Sequence, residues 1–240
     1  MSHLPVRFSV LTAAAACWLV LAAGCMTPAL SDPARRGPYF VAANHVGDPS
    51  LGGLRRVVLL PVAGGSVAPP ESMAALDAVV ATELQRQKRF EVVPLSREDC
   101  ARYFHAAEFS SVSVLPADFM AVLRREFAAD AVMFVDVTVF HAYQPLALGL
   151  RAKLATLGGS RLVWTFDEVF SADDAAVANS ARRHFLASDS GGVPADLSPA
   201  VLQSPARFTG YAAAAMFDTL PPITAPLPPA KVAAIPAISR

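Results

Sequence analysis

The sequence is short of cysteine, of net charge and of the spaced motifs that mark the common enzyme classes. Only 3 of its 240 residues are cysteine, which excludes a small fold held together by a network of disulfides. Its 20 basic and 20 acidic residues balance, so the chain carries no overall electrostatic signature of a protein that binds nucleic acid or an anionic membrane surface. We therefore expect no nucleic-acid partner.

The sequence lacks the motifs of nucleotide-binding proteins, of metal-dependent hydrolases and of serine hydrolases. Gly64-Gly65-Ser66 follows a predicted strand and precedes a predicted helix, but it lacks the lysine and the spacing of a phosphate-binding loop, so we interpret it as a flexible turn. No G-x-S-x-G elbow occurs. His105 lies near Glu108, a grouping that we attribute to hydrogen bonding on a helix surface. The histidines form no H-E-x-x-H and no i, i+4 pair: His3, His45, His105, His141 and His184. We expect no metal, no cofactor and no catalytic residue.

Two carboxylates fall inside predicted strands and could meet across a sheet. Asp136 and Asp167 each lie in a segment rich in β-branched and aromatic residues. Two carboxylates held close together are a common device for general acid and base catalysis. Arg151 and Lys153 lie on the strand predicted between them, so we expect a solvent-facing position or an ion pair rather than a catalytic dyad.

The first 24 residues have the layout of a secretory signal peptide. Arg7 gives a weakly positive start, residues 10–23 form an apolar run, and Ala23-Gly24 supplies small residues before Cys25. The apolar run is shorter than the roughly 20 residues that a membrane-spanning helix needs. We therefore expect residues 1–24 to be cleaved.

The cleavage site resembles the bacterial lipoprotein signal, in which a peptidase cuts before a lipid-bearing cysteine. Ala23-Gly24 fits the two positions before the cysteine, whereas Ala22 stands where the family usually has leucine. The resemblance implies that Cys25 is the mature N-terminus and carries the lipid anchor. Met26, rather than an acidic residue, is typical of the class held in the outer membrane facing the periplasm. An ordinary secreted protein with an incidental cysteine is the alternative.

The other two cysteines have simpler interpretations. Cys17 lies inside the apolar run and leaves with the signal peptide. Cys100 would then be the one thiol without lipid, so no intrachain disulfide can form. It lies within a predicted helix, where we expect it to fill the core rather than to react.

The mature chain divides into three parts by composition. Residues 25–54 contain scattered proline and glycine and no sustained period, which predicts a lipid anchor followed by a flexible tether. Residues 55–220 carry regular apolar periodicity and predict a single domain. Residues 221–240 are rich in proline and predict a mobile tail.

Within the domain, apolar periodicity predicts an α/β fold. Period-two patterns and continuous apolar runs predict strands at residues 57–62, 90–94, 131–142, 146–157 and 161–170. Helical spacing predicts helices at 71–88, 97–104, 116–127, 172–185 and 204–220. The last three strands follow one another and predict an antiparallel meander, in a mixed sheet that helices cover.

We expect these elements to share one core cluster. Its predicted members are Leu59, Leu76, Val80, Val92, Phe119, Leu123, Phe134, Leu150, Leu154, Leu162 and Trp164.

Four short motifs resemble a group of periplasmic α/β domains. They are Val57–Pro61, Phe90–Val93, Ala129–Val132 and Leu162–Trp164, within residues 56–170. The group includes the curli-secretion lipoprotein, the lipoprotein activator of penicillin-binding proteins and the N-terminal domain of the Tol translocation protein. The chain lacks the long amphipathic insert with which the curli-secretion protein builds a pore. The resemblance implies an envelope protein without a catalytic site.

Two hypotheses of function remain. The first is a non-catalytic lipoprotein that binds an envelope protein or assists assembly, with homo-oligomerisation left open. The second is a small envelope hydrolase or ligand-binding enzyme whose site is built from noncontiguous residues. A pocket that gathers His105, His141 or Asp136 would favour the second hypothesis.

Overall fold

The structure is a computed structural model that describes residues 37–48, 51, 53–188 and 201–222. The predicted signal peptide at 1–24, the lipidated Cys25 and the tail beyond residue 222 lie outside the described residues. Among those that are described, no helix is both long enough and apolar enough to cross a bilayer.

The described residues form a six-stranded mixed sheet with helices on both faces, which confirms the predicted α/β class. The strands are β1 (His45–Gly47), β2 (Arg56–Leu59), β3 (Glu91–Pro94), β4 (Ala131–His141), β5 (Ala147–Thr156) and β6 (Leu162–Ser171). The helices are α1 (Pro70–Arg86), α2 (Arg97–Phe104), α3 (Phe119–Phe127), α4 (Ala175–Ser188) and α5 (Pro205–Phe217). The sheet order is β1-β6-β5-β4-β2-β3. Strand β2 runs parallel to β3 and β4, and β4 to β6 form the predicted antiparallel meander.

Local signals fix most helix ends where the sequence predicts them. Ser96 caps α2 by accepting a hydrogen bond from the Asp99 backbone N–H at 3.0 Å. Helix α1 begins at Pro70, a first-turn position that tolerates the missing N–H of proline. Helix α3 begins at Phe119 rather than at Pro116, because the Phe119 N–H closes a turn onto the Pro116 carbonyl.

The core consists of two clusters, so the prediction of a single cluster is wrong. The larger cluster packs α1, α4 and α5 against one face of the sheet and includes Leu76, Leu150 and Trp164. The smaller packs α2 and α3 against the other face and includes Phe119 and Phe134. The cause is that β2 and β4 are buried on both sides, so successive apolar residues along each strand point into different clusters.

Leu162 is not a core residue, which corrects a second expectation. Its side chain is 51% exposed, whereas Trp164 is 1% exposed. The pairing of β5 with β6 shifts register between Leu154 and Ala155, opposite this end of β6. The shift breaks the alternation that would have placed Leu162 on the buried side with Trp164.

Part of the segment predicted as a tether belongs to the folded domain. The Phe40 backbone N–H donates to the Ser180 hydroxyl at 2.8 Å, and the Phe40 ring lies 5.0 Å from that of Phe170. Strand β1 pairs with the edge of β6, and Leu51 is buried. These contacts arise because the segment carries apolar side chains that fill the core and a strand that covers an otherwise open edge.

Candidate functional site

One part of the sheet surface is left open by the helices. On the face that carries the smaller cluster, β5 and β6 present Arg151, Lys153, Thr165, Asp167 and Val169, and β1 adds Val46 beside Thr165. We call these six residues the open face. Val46 is 72% exposed and Val169 is 51% exposed. The open face is therefore a solvent-accessible sheet surface that carries both charged and apolar side chains.

A row of charged side chains crosses the open face in register. Asp136 on β4 is aligned with Arg151 on β5, which is aligned with Asp167 on β6. The Arg151 Nε donates to the Asp167 carboxylate at 2.7 Å, and the two side chains are 35% and 40% exposed. Arg151 thus stands between the two carboxylates and pairs with Asp167, as predicted. An ion pair this exposed adds little stability and can exchange its partner. Asp136 is instead buried and bonded to Ser111, which corrects the expectation of a solvent-facing position or an ion pair for that residue.

Asp136 and Lys153 are both used to hold a loop at the rim of the open face. The Asp136 carboxylate accepts the Ser111 backbone N–H at 3.0 Å and also the Ser111 hydroxyl. The Lys153 Nζ donates to the Ser111 carbonyl at 3.0 Å. Asp136 is only 5% exposed, so these bonds satisfy a carboxylate that would otherwise be buried without a partner.

The loop that Ser111 fixes adds apolar surface beside the open face. Val112 is 66% exposed and Val114 is 96% exposed. Exposed apolar side chains that surround partly exposed charges are characteristic of surfaces that contact other proteins. We treat the open face together with Val112 and Val114 as the candidate docking site.

The predicted turn at Gly64-Gly65-Ser66 is occupied by a carboxylate of the same chain. The backbone N–H groups of Gly64 and Gly65 donate to the Glu108 carboxylate at 3.1 Å and 3.3 Å. Arg97 donates to Glu108 at 2.5 Å and to Asp77 at 2.8 Å. Burial lowers the pKa of Arg97, but its bonds to the two carboxylates outweigh burial and raise the pKa above the ordinary value. These contacts make the turn a structural junction.

The histidines are mostly dispersed. His105 ends α2 in a left-handed conformation with φ 60°. His141 ends β4 and lines a depression of about 620 Å³ that contains neither His105 nor Asp136. His45 and His184 line a different cleft. The grouping that would have favoured the enzyme hypothesis is therefore not found in this depression.

The cleft that holds His45 and His184 lies between residues 39–45 and the helices α4 and α5. Its volume is about 580 Å³, and Tyr211 and Asp218 also line it. Burial lowers the pKa of His184. Burial also raises the pKa of Tyr211 to about 12, while the neighbouring Ser180 side chain acts to lower it. Among the described residues, no group meets the Tyr211 hydroxyl with the distance and angle of an ordinary hydrogen bond.

Neither a metal centre nor a reactive thiol is assembled in the described part of the chain. Within residues 37–48, 51, 53–188 and 201–222, no three His, Cys, Asp or Glu side chains are grouped to hold a metal ion. Cys100 is fully buried in the smaller cluster, and burial raises the pKa of its thiol to about 11. The Cys100 thiol is therefore protonated and inaccessible at neutral pH, as expected of a core residue.

No family model and no curated protein matches the chain. Solved structures similar to it include lipoprotein GNA1162 from Neisseria meningitidis, at 16% identity and TM-score 0.41, covering 56% of this chain and 93% of that one. The LpoB C-terminal domain from Salmonella enterica is similar at 12% identity and TM-score 0.31, covering 56% and 87%.

TolB from Acinetobacter baumannii is similar at 12% identity and TM-score 0.30, covering 66% of this chain and 32% of that one. LpoB and TolB belong to the group that the sequence motifs resemble. Identities this low concern the fold and do not assign an activity.

Sequence reasoning missed the loop that completes the candidate site. Residues 110–114 read Ser-Ser-Val-Ser-Val, an alternation of polar and apolar residues that no predicted element used. The polar members include Ser111, which bonds to Asp136, and the apolar members are the exposed Val112 and Val114. This alternation is the one feature of the sequence that could have indicated the loop. Its place beside the open face becomes evident only from the bonds of Ser111 to Asp136 on β4 and Lys153 on β5.

Proposed function

We propose that the chain is a lipid-anchored envelope protein that binds another envelope protein through the open face and acts without catalysis. The observation that supports this proposal is the open face itself. It combines exposed valines, a rearrangeable Arg151–Asp167 ion pair and a loop fixed in place by Ser111. Such a surface offers apolar contact area and charged groups to a protein partner.

The absence of catalysis is part of the proposal and has its own support. In the described residues, Asp136 is committed to Ser111, Glu108 is committed to Arg97 and the glycine turn, and Cys100 is buried. A catalytic group needs access to substrate and a partner that tunes its protonation. Bonds within the chain therefore occupy Asp136 and Glu108, and burial removes Asp136 and Cys100 from contact with a substrate.

The location in the proposal follows from the signal sequence. We propose that Cys25 carries the lipid and that the mature protein is held in the outer membrane, facing the periplasm. Cys25→Ser should abolish lipid attachment, so the protein should either stay uncleaved or leave the membrane fraction. Fractionation of cells that produce each form measures this directly. A Cys25→Ser protein that is cleaved and still sediments with membranes would refute the anchor, and recovery only from inner membranes would refute the location.

The docking role can be tested by photocrosslinking in cells that produce the full-length lipoprotein. A photoreactive phenylalanine analogue replaces Val169 in the open face, Val112 at its rim or Tyr143, which is 88% exposed but lies outside the candidate site. The proposal predicts one protein adduct of the same mass from positions 169 and 112 and none from position 143.

A second experiment connects the adduct to the surface. Val169→Asp places a charge within the apolar part of the open face without removing a buried contact. It should lower recovery of the crosslinked partner at least tenfold, while Tyr143→Asp should leave recovery unchanged and both should keep the parent melting temperature. Equal adducts from all three positions would refute docking through the open face. Turnover of a substrate by the purified protein would favour the enzyme hypothesis instead.

A further inference from the structure

The cleft between residues 39–45 and the helices α4 and α5 is lined mostly by aromatic and small apolar side chains. It has a volume of about 580 Å³, and its aromatic residues are Tyr39, Phe40, His45, His184 and Tyr211. Phe40 and Tyr211 pack with the larger core cluster, whereas Tyr39 and His184 are half-buried and His45 is exposed. The cleft therefore presents partly exposed aromatic rings, and we call it the aromatic cleft.

A groove of aromatic rings is a characteristic binding surface for a proline-rich segment in the polyproline II conformation. This helix has three residues per turn and no internal hydrogen bonds, so residues three apart project from the same edge and can pack against rings. Proline already restricts the backbone of such a segment, so little conformational freedom is lost on binding. The aromatic cleft thus has the chemistry of a site for a short proline-rich segment.

The chain carries a segment of this kind directly after the domain. Residues 226–231 read Pro-Leu-Pro-Pro-Ala-Lys. Pro226 and Pro229 are three residues apart, so a polyproline II helix would place them on one edge. Lys231 is the one charged residue between Pro221 and Ser239. The segment therefore combines a proline edge with a single positive charge.

The last described residues lie beside the aromatic cleft. Asp218 follows α5 and lines the cleft. Pro221 then packs on Gly47 of β1, because a side-chain carbon added to Gly47 would collide with the Pro221 ring, and the Pro221 carbonyl accepts a hydrogen bond from Arg89. His45, which lines the cleft, lies two residues from Gly47 along the strand, a separation of about 7 Å. The chain consequently leaves the domain within about 7 Å of a residue that lines the cleft.

The connection from the domain to the segment is short. Residues 223–225 separate Pro222 from Pro226. This connection spans at most about 14 Å when extended, and residues 226–231 cover about 16 Å as a polyproline II helix. Both lengths suit a cleft that begins close to Pro221. A connection this short holds the segment at an effective concentration in the millimolar range, so a weak contact suffices for binding.

The cleft also offers an acid to the positive charge of the segment. Asp218 is exposed and accepts a hydrogen bond from the uncharged Gln87 side chain at 2.9 Å. Within the described part of the chain, no cationic side chain forms a salt bridge with Asp218. The cation that lines the cleft, Arg183, lies 4.6 Å from the centre of the Tyr39 ring. Asp218 is therefore available to pair with Lys231.

We propose that residues 226–231 bind in the aromatic cleft of their own chain as a polyproline II helix. Pro226 and Pro229 pack against the aromatic rings, and Lys231 pairs with Asp218. The segment predicted as part of a mobile tail is then held against the domain. The inference does not depend on docking through the open face, because α4 and α5 lie on the other side of the sheet.

The test is photocrosslinking of the purified full-length protein. A photoreactive phenylalanine analogue replaces Val41, which lines the cleft and is 82% exposed, or Val114, which is 96% exposed and lies beside the open face. Mass spectrometry after irradiation and proteolysis identifies the linked peptides. Position 41 should link to a peptide containing residues 226–231 with at least fivefold higher yield than position 114. Equal yields from the two positions would overturn the proposal.

Isotope labelling identifies the copy that supplies the segment. Equal amounts of unlabelled and heavy-isotope-labelled protein are mixed before irradiation. Binding within one chain predicts linked peptides that are both light or both heavy. Mixed pairs would overturn the proposal by showing that the segment of a second copy occupies the cleft. In cells, an adduct of position 41 with a different protein in place of the internal link would overturn it as well.

Substitutions test the chemistry of the contact. Pro226→Ala combined with Pro229→Ala should lower the yield of the internal link at least threefold, whereas Pro236→Ala, outside the segment, should leave the yield unchanged. Lys231→Glu should also lower it at least twofold, and adding Asp218→Lys should restore the parent yield. An unchanged yield in the double proline variant would overturn binding through the prolines. Failure of Asp218→Lys to restore the link would overturn the pairing with Lys231.

Discussion

Replacing Trp164 by alanine should destabilise the domain more than any other single truncation on β6. Trp164 is 1% exposed, and its ring centre lies 6.1 Å from that of Phe166 and 6.3 Å from that of Phe217. Its indole N–H donates to the Thr219 hydroxyl at 3.1 Å. The side chain thus joins β6 to the end of α5, and truncation would separate two elements of the larger cluster.

The expected magnitude follows from burial. A buried tryptophan removes about 150–250 Å² from water, which corresponds to about 4–6 kcal/mol at 25 cal/mol per Å². Partial collapse of the surrounding side chains lowers this figure, and measured truncations of large aromatic residues cost about 3–5 kcal/mol. For a domain of this size, the melting temperature should fall by about 6–20 °C.

The assay is urea and thermal unfolding of the purified protein, followed by far-ultraviolet circular dichroism. Trp164→Phe keeps an aromatic ring but loses the bond to Thr219, so it should cost only about 1–2 kcal/mol. Leu162→Ala is the matched control because it lies two residues away on the same strand but is half exposed, and it should change stability by less than about 0.5 kcal/mol. A Trp164→Ala loss below 1 kcal/mol, or an equal loss at Leu162, would refute the assignment of faces on β6.

Three other predictions concern buried polar groups. Tyr211→Phe removes a buried hydroxyl that makes no hydrogen bond of ordinary geometry with the described residues, so the unfolding free energy should stay unchanged or rise by about 1 kcal/mol; a loss would show that the hydroxyl bonds to its neighbour Ser180. Burial lowers the pKa of His184 in the folded state, so the unfolded chain takes up the proton first and stability should fall as pH drops below about 6.5. His184→Gln should make that fall shallower, and identical pH profiles would contradict it. Arg97→Met leaves two partly buried carboxylates without their cation and should cost about 2–3 kcal/mol in urea unfolding, whereas a neutral result would show that the carboxylates reach solvent.

Sequence pattern predicted the elements where periodicity is long and failed where contact is nonlocal. Strands β4, β5 and β6 were predicted within a residue or two of their observed ends, because each has about ten residues of regular pattern. Strand β1 has three residues, all exposed. A segment this short shows no recognisable alternation of apolar and polar residues. Its existence depends on the free edge of β6.

The candidate site was predictable only in part for a similar reason. Alternation along β5 placed Arg151 and Lys153 on the side opposite Leu150 and Leu154, so a polar face of the meander could be expected. Alternation does not say which helices cover that face. It also cannot show that the loop at Ser111 folds over Asp136, because the two residues lie 25 positions apart in sequence.

The sheet order supplies the missing physical reason. From β2, the chain crosses through α1 to its parallel neighbour β3, and from β3 it returns through α2 and α3 in the opposite direction to reach β4. Right-handed crossovers that run in opposite directions place their helices on opposite faces, which accounts for the two core clusters. Helices α4 and α5 follow the meander and join α1 on the first face. Among the described helices, only α2 and α3 pack on the second face, near β2 and β4, so they leave the sheet surface over β5 and β6 open to solvent.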